Sequence, residues 1–200
     1  MDTFDLYKDI QCRTNGEIYL GVVGPVRSGK STFIKRFMDV LVLPKMTDEH
    51  AKERTVDELP QSASGKSIMT TEPKFVPKEA AEIQLAKDVS VLVRLIDCVG
   101  YMVEGAAGHM ENGAERLVKT PWNEKEIPFT KAAEIGTKKV IHDHSTIGIV
   151  VTTDGSIGEL PRNSYRAAEK KTIQELKSIG KPFVVLVNTR KPYSAEAKNV

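Results

Sequence analysis

The chain has 200 residues, 40% of them hydrophobic, enough for one buried core and a prior of one domain or slightly more. With 29 Lys and Arg against 27 Asp and Glu, the net charge of +2 is too small to argue for a nucleic-acid or membrane-coating surface. Cys12 and Cys98 lie far apart without C-x-x-C spacing, and no apolar run is long enough to cross a bilayer. These features point away from a disulfide scaffold, a thiolate metal site or a membrane span, and make a reducing cytoplasm the simplest compartment.

The apolar run from Glu17 to Val23 predicts a first strand. It leads into Gly24-Pro25-Val26-Arg27-Ser28-Gly29-Lys30-Ser31, a match to G-x-x-x-x-G-K-[ST], and then into a predicted helix from Ser31 to about Leu43, stopped by Pro44. Strand, glycine-rich turn and helix together make a phosphate-binding loop. Its amides and the positive end of the helix attract phosphate oxygens, so residues 24 to 31 and Thr32 are expected to bind the nucleotide. Lys30 would reach the β and γ phosphates, and the Ser31 hydroxyl would hold Mg²⁺. Arg27, at a variable position of the motif, reads better as a solvated arginine than as a source of charge stabilisation.

From Lys45 to Lys74 the chain turns polar and irregular, which predicts a long loop of the switch I kind. Thr70 and Thr71 near its end are candidates to close over metal and γ phosphate, Thr71 for the metal and Thr70 for coupling nucleotide state to shape. Phe75 to Leu85 fits an extended strand interrupted by Pro77, and Val89 to Ile96 fits a strong β-branched strand. That second strand ends in Asp97-Cys98-Val99-Gly100, a D-x-x-G in which Asp97 would face Mg²⁺ and Gly100 would offer its N–H to the γ phosphate. Tyr101 follows, where many GTPases carry a water-orienting glutamine. Slow intrinsic turnover is therefore expected unless a group enters from elsewhere. Residues 101–128 read as an irregular insertion of the switch II kind, with the glycines of GAAGHMENG making it flexible.

The second half predicts a helix from Phe129 to Asp143, a buried strand from Thr146 to Thr153, a helix from Asn163 to Ile179 and a buried strand from Phe183 to Val187. Asn163 or Ser164 would cap the second helix, and Gly180 with Pro182 would end it. His142-Asp143-His144 sits at a helix end, where the negative end of the dipole explains the histidines without a metal. Alternating strands and helices make the fold class α/β: a P-loop NTPase with a doubly wound, mostly parallel sheet and helices on both faces. A domain of this kind usually adds another helix and strand beyond such a point, so a fragment of a longer protein is expected.

The last strand runs into Asn188-Thr189-Arg190-Lys191. Guanine readers place N-K-x-D here, and Lys191 stands where the Asp would accept hydrogen bonds from the base. Adenine is the better fit, with Asn188 either near the base or a plain turn residue.

GPVRSGKS, the paired Thr70-Thr71, DCVGY and the degenerate NTRKP together resemble the amino-terminal nucleotide-binding domain of the stage IV sporulation protein A family, a GTPase-like family of endospore-forming bacteria that uses ATP. The resemblance covers nearly all of the chain. It implies ATP and Mg²⁺ as ligands and hydrolysis that drives self-assembly into a homopolymer, the basement layer of the spore coat. It also implies spore coat proteins as partners and a small amphipathic membrane-anchoring peptide that binds through parts of the family not present here. Location would be the mother-cell cytoplasm at the forespore surface, peripheral to its outer membrane, with no nucleic acid bound. A GTPase-type switch and a nucleotide-binding scaffold without turnover remain the alternatives.

Overall fold

A computed structural model describes residues 16–60, 71–86, 89–111 and 113–200. β1 (Glu17–Val23) is followed by α1 (Lys30–Phe37), which widens into a π turn at Met38–Val42 and then tightens into a 3₁₀ turn at Leu43–Lys45 that accommodates Pro44. α2 spans Glu49–Glu58, β2 Lys74–Ala86 and β3 Val89–Asp97. Two hairpins come next, β4 (Met110–Glu111) with β5 (Ala114–Glu115) and β6 (Leu117–Thr120) with β7 (Asn123–Pro128). The chain then runs through α3 (Phe129–Lys139) and a π turn at Val140–His144, β8 (Ile147–Thr153), α4 (Arg162–Ser178), β9 (Phe183–Asn188) and a short α5 (Ala195–Lys198).

Five strands form one sheet in the order β2-β3-β1-β8-β9, parallel throughout except for β2, which runs antiparallel to β3. Alternation along each strand feeds two separate cores. Val22, Leu95, Ile149 and Val151 pack with Ile34, Met38 and Val42 under α1, while Val23, Ile96 and Val150 pack with Val140, Ile141, Tyr165 and Leu176 under α3 and α4. The predicted doubly wound α/β class is what forms, and it brings the carboxyl ends of β1, β3, β8 and β9 to one edge, where such sheets bind ligands.

Several local expectations are corrected. The stretch 45–74 is not loop throughout, because the Asp48 carboxylate accepts from the amides of His50 (2.9 Å) and Ala51 (3.2 Å) and starts α2. The far end of α2 is tied to β2, where the Lys78 amide donates to Glu58 (2.7 Å) beside the register irregularity around Pro77. The insertion 101–128 carries two hairpins rather than irregular chain, and GAAGHMENG supplies most of the first of them. α4 starts from Pro161 with no side-chain cap, so Asn163 and Ser164 lie inside the helix. Gly180, at φ +64°, ends α4 as predicted, its amide returning to the Lys177 carbonyl (3.1 Å). β9 is an exposed edge and not a buried strand. Val184 is 53% and Val185 43% exposed, on opposite faces of the sheet, because α4 covers β8 more than β9 and no described strand pairs beyond it.

Candidate functional site

The phosphate-binding loop joins β1 to α1 at the ligand-binding edge. Gly29 is the residue before the helix and has φ +95°, a backbone that an L side chain resists, and a Cβ there would run into the Asn188 amide. Arg27 is the one described non-glycine residue with positive φ (+59°), held there while its guanidinium donates to the Ala107 carbonyl (3.2 Å). Arg27 is exposed, as the solvated reading expects, and also ties the loop to the segment after β3. The first turn of α1 has no acidic residue, so its unpaired amides and positive dipole face the loop unopposed. Ser28 is fully buried and Thr32, on the outside of α1, is exposed.

Lys30 is 5% exposed, and its ammonium donates to the Pro25 carbonyl across the loop (2.6 Å). Burial lowers its pKa, against an opposing pull from Cys98 and Asp97. The Ser31 hydroxyl donates to Asp97 Oδ2 (2.7 Å), which joins the start of α1 to the end of β3. Asp97 Oδ1 is out of reach of water and has no hydrogen-bond partner. Burial pushes the Asp97 carboxyl above its usual range in spite of the Ser31 hydrogen bond and the Lys30 charge. A hydroxyl and a carboxylate with one oxygen left over form a hard oxygen set of the kind Mg²⁺ prefers, so the residues present fit that ion.

Gly100 closes the site from the other side. With φ +93°, it sits so that a Cβ would strike the Gly24 carbonyl and lie 2.6 Å from the Lys30 ammonium. The next residue is stitched to the loop by its backbone: the Val26 amide donates to the Tyr101 carbonyl (2.8 Å) and the Tyr101 amide donates to Gly24 (3.2 Å). The Tyr101 ring is buried in the core beneath the Lys171 ammonium, 4.6 Å from the ring centre, and burial raises the pKa of its hydroxyl. Tyr101 thus holds the D-x-x-G turn against the phosphate-binding loop and takes no place beside an attacking water.

The switch threonines fare differently. Thr70 lies outside the described residues. Thr71 is buried, with its carbonyl against Gly136 of α3, and it lines a cavity of about 410 Å³ with Lys74, Arg116 and Lys119. Thr71 lies three residues before Lys74, which pairs with Asp97 across β2 and β3. Asn188 donates its side-chain amide to the Ser28 carbonyl (3.1 Å), which ties the end of β9 to the phosphate-binding loop. His142 bonds Glu175 (3.0 Å) and His144 packs edge-on against Phe75 (5.6 Å); among the described residues no cluster of three His, Cys, Asp or Glu could hold a metal.

Sequence reasoning passed over a second knot at the same edge. Asp154, Ser156 and Thr189, from the turns after β8 and β9, are hydrogen-bonded together. An Asp directly after a strong apolar strand was the available signal, the same one that marked Asp97.

The buried Asp97 carries a testable cost. Its folded pKa lies above the unfolded one, so stability is greatest below the unfolded value and is lost as pH rises through the folded value. Asp97→Asn removes that ionisation and keeps an oxygen for Ser31. Thermal melts without nucleotide at neutral pH should therefore show the variant to be at least as stable as the parent, with the difference vanishing toward acid.

Comparison with known proteins gives one consistent picture. Residues 1–200 match the family model described as stage IV sporulation protein A, ATPase domain. Stage IV sporulation protein A of Clostridioides difficile (strain 630) is 60% identical over 192 residues, 96% of this chain and 39% of that protein. The proteins of the same name from Bacillus anthracis and Bacillus subtilis (strain 168) are each 54% identical, over 100% and 99% of this chain and 41% and 40% of their own lengths. The chain thus spans about two fifths of the length of the curated relatives it matches.

Proposed function

The chain belongs to the stage IV sporulation protein A family, as its ATPase domain, and we propose that it hydrolyses ATP with Mg²⁺ to drive self-assembly of the basement layer of the spore coat. The observation that carries the chemistry is the Ser31–Asp97 hydrogen bond, with its unpartnered Oδ1, beside a buried Lys30. Ser31, Asp97 and Thr71 would hold Mg²⁺, which would supply positive charge against the negative charge that develops on the phosphate oxygens. Lys30 places a desolvated ammonium against the same oxygens, where a charge acts more strongly than in water. Backbone amides of the phosphate-binding loop would cradle the β phosphate, except at Pro25, which has no N–H, and Val26, whose N–H donates to Tyr101, and the Gly100 N–H would meet the γ phosphate with no side chain in the way. Thr70 couples the presence of the γ phosphate to the shape of the 45–74 segment, and 101–128 acts as its counterpart on the other side.

The buried Tyr101 leaves the attacking water without a glutamine-like partner, which supports slow turnover by the isolated domain and a rate that rises when a neighbouring copy completes the site. Coat proteins and an amphipathic membrane-anchoring peptide would engage the parts of the family that lie outside this chain. The protein would then act in the mother-cell cytoplasm, peripheral to the forespore outer membrane. No described helix is long and apolar enough to cross a membrane.

Sedimentation of the intact protein tests the coupling. With ATP and Mg²⁺ most of it should enter the pellet, whereas ADP or a non-hydrolysable ATP analogue should leave it in the supernatant. Equal pelleting with the analogue would mean that hydrolysis does not drive assembly.

A further inference from the structure

We propose that Asp154 is the positioning residue that sets base selectivity, by building the base-proximal loop in a form that leaves no carboxylate free for guanine. The inference rests on the ATP reading above and concerns how that same site chooses its nucleotide.

The strands β8 and β9 end side by side, Thr153 paired with Asn188, on the ligand-binding edge of the sheet. Asn188 reaches the Ser28 carbonyl, and Ile157, just after the Asp154 turn, lies within van der Waals range of the space beside Gly29. The turns that follow the two strands therefore border the phosphate-binding loop, where the base of a bound nucleotide has to lie. Asp154 joins them. Its Oδ1 accepts from the Ser156 amide (2.9 Å) and the Ser156 hydroxyl (2.6 Å), and its Oδ2 accepts from the Thr189 hydroxyl (2.5 Å). The bonds continue outward: the Ser156 hydroxyl accepts from the Arg190 amide (3.0 Å) and the Thr189 hydroxyl accepts from the Lys191 amide (3.1 Å). Three successive residues of the degenerate motif, Thr189 to Lys191, are thus fixed from Asp154.

Guanine presents two adjacent donors, N1–H and the N2 amino group, and a carboxylate reads them only with both oxygens open in a fork. Asp154 presents no such open fork, because its Oδ1 already accepts from the Ser156 amide and hydroxyl and its Oδ2 accepts from Thr189. Glu196, the other acidic group near Asp154, accepts from the Ser194 hydroxyl and from its own amide at the start of α5. Lys191 adds a cation where the guanine reader has its carboxylate. Guanine would bury its donors unmade, while adenine, which has no N2 amino group and no N1–H, loses nothing.

The experiment measures the dissociation constants of Mg²⁺-ADP and Mg²⁺-GDP by calorimetry on the intact protein, with kcat and KM for ATP, for the parent and for Asp154→Ala, Asp154→Asn and Thr189→Val. Asp154→Ala is expected to weaken ADP about tenfold, as loss of charge-assisted hydrogen bonds implies. GDP binding should stay level or improve, and kcat at saturating ATP should stay within about twofold. Thr189→Val removes one arm of the knot without touching the carboxylate and should move selectivity in the same direction by less, with Asp154→Asn between the two. Equal weakening of ADP and GDP, unchanged ADP affinity, or a fall in kcat at constant KM would each overturn the assignment. Should Asp154→Ala fail to fold, the two milder variants decide by the same ratio. A parent that prefers GDP, or binds no ADP, would instead overturn the ATP reading itself.

Discussion

Lys30→Ala should reduce phosphate release from ATP by about 10³-fold, a loss of about 4 kcal/mol of transition-state stabilisation. The size follows from where the ammonium sits. Lys30 is nearly inaccessible to water, spans the loop to the Pro25 carbonyl and lies against the backbone of Gly100. A charge in that position needs no reorganisation to meet developing negative charge, and no other described cation is hydrogen-bonded across the loop to replace it. Stability should move the other way, since burial lowers the Lys30 pKa and the folded state bears a cost for keeping the ammonium charged. That contribution is present above the unfolded value and lost as pH falls through the folded one, so the alanine variant should melt no lower than the parent at neutral pH. Steady-state phosphate release with a melt on the same preparations checks both halves. A variant that turns ATP over within tenfold of the parent would contradict the assignment.

Gly100→Ala should cost about 100-fold in turnover. The added methyl has nowhere to go: it meets the Gly24 carbonyl, which is backbone, and the Lys30 ammonium, and the left-handed φ adds about 1–2 kcal/mol of strain. Relief requires the D-x-x-G turn to pull away from the phosphate-binding loop, which breaks the paired bonds of Val26 and Tyr101. ADP affinity should weaken with turnover, because the same movement opens the phosphate cradle. Single-turnover kinetics alongside ADP calorimetry separate the two effects, and unchanged values for both would show that the Gly100 backbone does not form the site.

The parts of this protein that depend on local chemistry were readable in the chain. Gly24 to Ser31 announces itself because only one backbone path satisfies its spacing, and Asp97 because an acidic residue directly after a β-branched run has little other reason to be there. The α/β class follows from alternating strands and helices, whereas the order β2-β3-β1-β8-β9, with β2 antiparallel to β3, is known only from the structure. What was missed depends on contacts between distant segments. The polar composition of 45–74 hid α2, whose stability comes from the Asp48 cap and the Glu58 tie to β2 rather than from an apolar stripe. Phe183 to Val187 looks buried by composition, but burial is decided by what lies on each side, and α4 leaves its outer residues bare. Tyr101 looked like a deficient glutamine, when its backbone bridge to Pro25 and its ring under Lys171 give it a structural task. The bond from Asn188 to Ser28 joins residues 160 positions apart and could not be read from the chain. Asp154 carried a signal as an acidic residue directly after an apolar strand, but the knot it forms was missed because its members come from two turns 35 residues apart.

The central claim is that this site turns over ATP and rejects GTP, and the most direct test is phosphate release from both nucleotides side by side, in Mg²⁺, by the intact protein and by Lys30→Ala. Release from ATP alone, abolished by the substitution, is the predicted result. Preference for GTP, or ATP turnover that survives the loss of Lys30, would contradict it.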